Sequence, residues 1–314
     1  MLKRFICLLL ALLAVCSLLA ACSNTEPKET EPTMDIMQKT DPAQDDELNI
    51  LMIGNSFCYY YVEELYGLLT AAGYKNVNVC NVYYSGCPLD KHWEWWKNGE
   101  SNYSYFTTNE SGRNRVESTN LEYCLKQRNW DIISLQDGGS KLRKDGLELH
   151  LTNTHTYRSD LLGYLKEQFP MSRLAWHQTW SYQIGYESGS YQMTSLQQQN
   201  ESVLLKKDFA LATCKEFDLE RINSGEAWQI VREGGYDNLC ARKSTNGGKG
   251  DYYHDGDIGG GQYLNACVWF EAITGQSCVG NTYRPDYALD EALISTLQAA
   301  AHKAVEQRNS EDSK

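Results

Sequence analysis

Residues 50–60, ILMIGNSFCYY, run from an apolar stretch straight into Gly54, Asn55 and Ser56 and then into aromatic residues. Leu48 to Ile53 is short and mostly apolar, which suits a strand buried on both faces. Beyond Ser56, the residues Val62, Leu65, Leu68, Leu69 and Ala72 recur at helical spacing, and Gly73 ends the run. A strand therefore turns into a helix, and Ser56 sits at the corner. Two roles fit it there. Serine ahead of a helix is a preferred N-cap. Serine at such a corner also exposes its hydroxyl, with N–H groups of the helix start aimed at negative charge developing beside it.

Working outward, VNVCNV (77–82), DIISLQ (131–136), RLAWHQ (173–178) and LERINS (219–224) read as further strands. Helices are expected at 120–128, at 157–169 before Pro170, at 194–217, at 259–274 and at 286–307. Strands alternating with helices predict an α/β fold, a parallel sheet with helices on both faces. Sites in such sheets form beyond the carboxyl ends of the strands. Ser56, Gly86, Gln136 and His177 all fall at or just after strand ends. The segment 88–129 is long for one connection and reads as a lid or binding loop. It carries Trp93, Trp95, Trp96, Tyr103, Tyr105 and Phe106 among Asn, Ser, Thr and Gly.

A second stretch with chemical content is GKGDYYHDGDIGG, 248–260, in which Asp251 and His254 stand three apart. A carboxylate so placed holds an imidazole in one tautomer and stabilises its charged form. The same stretch could be an inert surface pair, or a cation loop using Asp251, Asp255 and Asp257. Its spacing is not that of an EF-hand. His177, between Trp176 and Gln178, is either a core histidine or a pocket residue, and Trp93 and Trp180 are further candidates for lining a substrate.

The chain has 314 residues and a net charge of −12, and it contains no Lys/Arg block. Nucleic-acid binding through phosphates requires such a block, so that class is set aside. MLKRFICLLLALLAVCSLLAAC opens with Lys3 and Arg4, continues apolar and ends in small residues before Cys22. It reads as an export signal (1–21), with a transmembrane anchor as the rival reading. Residues 23–47 hold three of the six prolines and eight acids against two lysines, which makes them a tether unable to bury a core. The folded domain is expected at 48–308, with a disordered tail at 309–314. Eight of the eleven cysteines lie beyond Cys22, none in a C-x-x-C pair, so a zinc knuckle is not expected. Export would permit one or two disulfides at most.

IGNSF, YYSGCPL, LQDGG and DYYH occur in the order of the motif blocks of SGNH (GDSL-type) serine hydrolases, which this chain resembles from about 48 to 275. It is most similar to a branch of secreted bacterial members. The resemblance implies a three-layer α/β/α sandwich with a central parallel, flavodoxin-like sheet. It implies Ser56 as nucleophile, His254 as general base and Asp251 as its orienting partner. The oxyanion hole it implies is the Ser56 N–H, the Gly86 N–H and the side-chain amide of Gln136. Leu-Ala-Ala-Cys resembles a lipobox, which implies lipidation of Cys22 and anchoring to the outside of a membrane. Two positions depart from the pattern: Asn55 stands where Asp is usual, and Gln136 where Asn is usual.

The expected activity is a serine esterase on O-acyl esters, chiefly O-acetyl, of a carbohydrate. No metal or organic cofactor is expected. The abundance of Tyr (21) and Trp (8) supports a sugar substrate, since aromatic faces pack on sugar rings. The alternatives are a non-catalytic carbohydrate-binding lipoprotein on the same fold, and a lipase, against which the polar 98–114 region speaks.

Overall fold

The computed structural model describes residues 47–188, 191–241, 251, 253–254, 259–287 and 289–312. The signal, Cys22 and all but the last residue of the tether lie outside them. The strands are β1 (Leu48–Gly54), β2 (Val77–Tyr83), β3 (Tyr103–Asn109), β4 (Gly112–Thr119), β5 (Ile132–Gln136), β6 (Arg173–His177), β7 (Glu187–Ser188), β8 (Tyr191–Gln192) and β9 (Glu220–Ile222). The helices are α1 (Val62–Ala71), α2 (Leu89–Asn98), α3 (Leu121–Leu125), α4 (Ser140–Asp145), α5 (Leu147–Gln168), α6 (Leu196–Phe217), α7 (Ser224–Glu233), α8 (Gly261–Thr274) and α9 (Glu291–Asp312).

Seven strands form one sheet in the order β4-β3-β2-β1-β5-β6-β9, and β7 pairs with β8 alone. The strands from β2 to β9 in that order are parallel. Taken in chain order they lie 2-1-3-4-5, the flavodoxin-like arrangement. Side chains alternate along β1. Ile50 and Met52 join a core with α1, α7, α8 and α9, whereas Leu51 and Ile53 join one with α2 to α6. Both faces of the sheet are thus covered, which is why β1 is apolar at nearly every position.

The 88–129 segment is not a loop. It forms α2, then a hairpin in which β3 pairs antiparallel with β2 and β4 with β3, then α3. The sheet is therefore mixed rather than wholly parallel. The polar content that suggests a loop belongs to an edge strand: most of β4 is exposed and carries Arg113, Arg115 and Glu117, charges that guard an open edge. The helix α5 starts ten residues before the expected 157, and α7 has no counterpart in the sequence reading. At the C-terminus α9 continues past 308, because buried Arg221 pairs with Glu311 (3.0 Å) and Asp312 (3.3 Å). The eight described cysteines are all free thiols and all but Cys214 are buried, packing as small apolar side chains. Among the described residues no helix is long and apolar enough to cross a membrane.

Candidate active site

In a 2-1-3-4-5 sheet the crevice opens where the strand order reverses, beyond the ends of β1 and β5. Ser56 follows β1, Gly86 follows β2 and Gln136 ends β5, so all three reach this crevice. Ser56 opens a single 3-10 turn, Ser56–Cys58, and α1 begins only at Val62. The cap of that turn is Asn55, whose Oδ1 accepts the Phe57 N–H at 3.1 Å. Capping is therefore not the duty of Ser56. Among the described residues its hydroxyl makes no hydrogen bond, and the Ser56 and Gly86 N–H groups have no partner. The turn is fastened from β2, where buried Asn81 donates to the Cys58 carbonyl at 2.6 Å.

Asn55 is a hub that the sequence reading undervalued. Its Nδ2 donates to the Cys87 carbonyl (2.9 Å), beside Gly86. Its Oδ1 also accepts from Gln136 Nε2 at 2.7 Å. A backbone N–H on one side and a carbonyl on the other fix which end of this amide is oxygen. That orientation propagates. Gln136 donates to Asn55, so its Oε1 must accept from His177 Nδ1 (3.3 Å). His177 is then protonated on Nδ1, and its Nε2 accepts from the Ser224 hydroxyl at 2.9 Å. One buried chain thus runs from Ser224 to the Ser56 turn.

This geometry corrects the expectation for Gln136 and decides the open ones for His177 and Trp180. Gln136, expected as the third oxyanion donor, is buried with its amide facing Asn55. It lies directly on Gly54, where a Cβ would fall 2.7 Å from Gln136 Cδ, so any side chain at 54 would push Gln136 from its place. His177 is 1% exposed and braces Gln136 rather than lining a pocket. Trp180 is likewise covered, stacked on Trp228 at 4.4 Å and edge-on to Phe57 at 4.7 Å. Trp93 donates its indole N–H to Asp160 (2.8 Å) and packs behind Tyr157.

Asp251 and His254 do meet. The imidazole Nδ1 lies 2.8 and 2.9 Å from the two carboxylate oxygens, and the His254 backbone N–H donates to Oδ1 at 2.9 Å. Nδ1 carries the proton, which leaves Nε2 as a base. Two aromatic residues bring the pair to the Ser56 turn. The Tyr253 hydroxyl donates to the Ser56 carbonyl (3.1 Å), and the Tyr60 ring sits 5.1 Å from the imidazole. Gln262, at the start of α8, donates to the Tyr253 carbonyl and holds this loop in place. No hydrogen bond joins Ser56 to His254 among the described residues.

Buried Lys206 was not anticipated. Its Nζ donates to Thr179 Oγ1 (3.0 Å) and the Trp180 carbonyl (2.5 Å), and lies 5.2 Å from the Phe57 ring. Thr179 in turn donates to the Asp137 carbonyl, so Lys206 ties together the loops after β5 and β6. Burial pushes its pKa down to about 7. The signal was present: Val203, Lys206 and Phe209 share the helical spacing of the buried face of α6.

Burial also lowers the pKa of His177 to about 3 and of His92 to about 4. Between pH 6.5 and 4 the unfolded chain binds both protons and the folded chain neither, so stability falls as pH falls through that window. Buried Glu64, pushed up to about 7, opposes them: its contribution is complete below pH 4.5 and is lost as pH rises through 7. Urea unfolding should therefore show a loss on the order of a few kcal/mol between pH 6.5 and 4. Glu64→Gln should steepen the fall. A flat profile in both proteins would contradict the neutral buried histidines.

A cleft of about 310 Å³ adjoins the Ser56 turn on the Asn55–Gly86 side. Asp137 forms its floor together with His150, which is 1% exposed.

Among curated proteins none matches the chain. Among solved structures it is similar to a DUF4886 family protein from Bacteroides uniformis, with 25% identity over 83% of this chain and 95% of that one, at a TM-score of 0.67. A more distant likeness, with 13% identity over 72% of this chain and 94% of the other and a TM-score of 0.43, is to an acetylxylan esterase from Geobacillus stearothermophilus. The family model described as a domain of unknown function, DUF4886, matches residues 49–304, and the chain belongs to that family.

Proposed function

We propose that this protein is a serine esterase that removes O-acetyl groups from a carbohydrate through an acyl-enzyme on Ser56. The carrying observation is the Asp251–His254 pair, tied through Tyr253 to the Ser56 turn, where the N–H groups of Ser56 and Gly86 have no partner among the described residues. In the first step Ser56 Oγ attacks the ester carbonyl while His254 Nε2 takes its proton. The oxyanion is met by the two N–H groups. His254 then protonates the departing sugar alkoxide, and a water it activates frees acetate from the serine. Lipidation of Cys22 would place this activity on the outside of a membrane.

The test is hydrolysis of p-nitrophenyl acetate. The expected result is a burst of p-nitrophenol and acetyl mass on the peptide containing Ser56. Turnover without any acyl-enzyme would contradict the scheme. A non-catalytic glycan-binding role is the second reading. It is favoured by the absence of a Ser56–His254 hydrogen bond among the described residues and by the engagement of Gln136 with Asn55. Apo sites often tighten only with substrate, so the burst decides between the two.

A further inference from the structure

Resting on that reading, we propose that the cleft between α2, α4 and α5 is the subsite for a sugar ring next to the reacting ester, and that this ring carries no acidic substituent. The cleft shares Asn55 and Gly86 with the Ser56 crevice, so a ligand in it adjoins an ester bound there. Its volume, about 310 Å³, is at the small end of the ~300–1,000 Å³ typical of small-molecule pockets.

The lining suits a polyol. Carboxylates of Asp90 and Asp145 accept from hydroxyls, and Lys141 and Asn153 donate. These groups are already arranged in pairs: Lys141 Nζ lies 2.8 Å from Asp90, and Asn153 Nδ2 lies 3.4 Å from Asp145. One wall is the Tyr157 ring, braced by Trp93 at 5.4 Å, which offers a flat face for the C–H side of a ring. A long acyl chain would strand these polar groups without partners.

The charge sets the selectivity. His150 stands between two carboxylates, with Nε2 at 3.0 Å from Asp137 and Nδ1 at 3.5 Å from Asp145. With Asp90, three carboxylates line the space against one lysine, Lys141, and one imidazole, His150, so negative charge is in excess even when the imidazole is counted as a cation. The helix starts that open here would attract anions, but they are already matched. Asp90 lies in the first turn of α2, and Asp137 Oδ1 accepts the Gly139 N–H ahead of α4 (2.6 Å). A uronate would meet like charge.

The experiment uses the full chain carrying Ser56→Ala, so that bound ligand is not turned over. Its binding to xylan-, mannan- and glucan-derived oligosaccharides and to oligogalacturonates is measured on an array and by calorimetry. The expected result is binding to neutral glycans and not to oligogalacturonates. Tyr157→Ala or Asn153→Ala, added to Ser56→Ala, should weaken it about tenfold. Both positions are at least partly solvent-exposed, and unchanged circular dichroism would verify folding. Equal or tighter binding of oligogalacturonates, no binding of any glycan, or affinities untouched by both substitutions would overturn the subsite. The esterase reading is judged separately, by the p-nitrophenyl acetate burst of the chain with Ser56 intact.

Discussion

Ser56→Ala is expected to lower esterase turnover by about 10⁴-fold or more, His254→Ala by a similar factor, and the double variant by no more than either alone. In the proposed mechanism the two groups act as one unit. Without the hydroxyl there is no acyl-enzyme, and without the imidazole the hydroxyl keeps its proton. What remains is catalysis by the N–H groups of Ser56 and Gly86, which none of the three variants removes. The measurement is kcat/KM for p-nitrophenyl acetate in the four proteins. If the two losses multiplied, Ser56 and His254 would be acting independently and the assignment would fail. All three variants should unfold at the wild-type urea midpoint within error. The Ser56 hydroxyl has no partner among the described residues to lose, and His254 lies at the surface.

Asn55→Asp should be damaging, although Asp is the usual residue in the hydrolases whose motifs this chain resembles. One carboxylate oxygen could still accept from Phe57 and Gln136. The other would face the Cys87 carbonyl, to which the amide now donates at 2.9 Å. Asn55 is 5% exposed, so this oxygen would be buried against another oxygen. An unsatisfied buried charged group of this kind costs about 3 kcal/mol or more. The Ser56 turn and the Gly86 segment are joined through that bond, so both oxyanion donors should shift and kcat should fall about 10²-fold. Asn55→Ala, which removes the bonds without adding a charge, should be less destabilising. Urea midpoints of the two variants test this ordering. A fully stable, active Asn55→Asp protein would show that the bond to Cys87 is dispensable.

The alternation of strands and helices was readable because the parallel strands, buried on both faces, are continuous apolar runs. The hairpin β3–β4 was not, because an edge strand has one covered face and the charges that protect the other resemble a loop. In the candidate site, Ser56, Gly86, Asp251 and His254 could be named as candidates from short motifs whose chemistry depends on residue type and local spacing. The grouping of Ser56 with Gly86 depends on the sheet order, which sets β1 beside β2, and that of Asp251 and His254 with them depends on Tyr253, which bonds to the Ser56 carbonyl from far along the chain. The orientation of the Gln136 amide, the tautomer of His177 and the burial of Lys206 follow from partners distant in sequence. Local sequence therefore determined which groups are candidates for the chemistry and which segments would become the buried strands. Tertiary structure alone decided that Asn55 is a hub, that Gln136 is a brace and that a polar cleft opens beside Gly86, because a hydrogen bond depends on where its partner is held and not only on the residue that makes it.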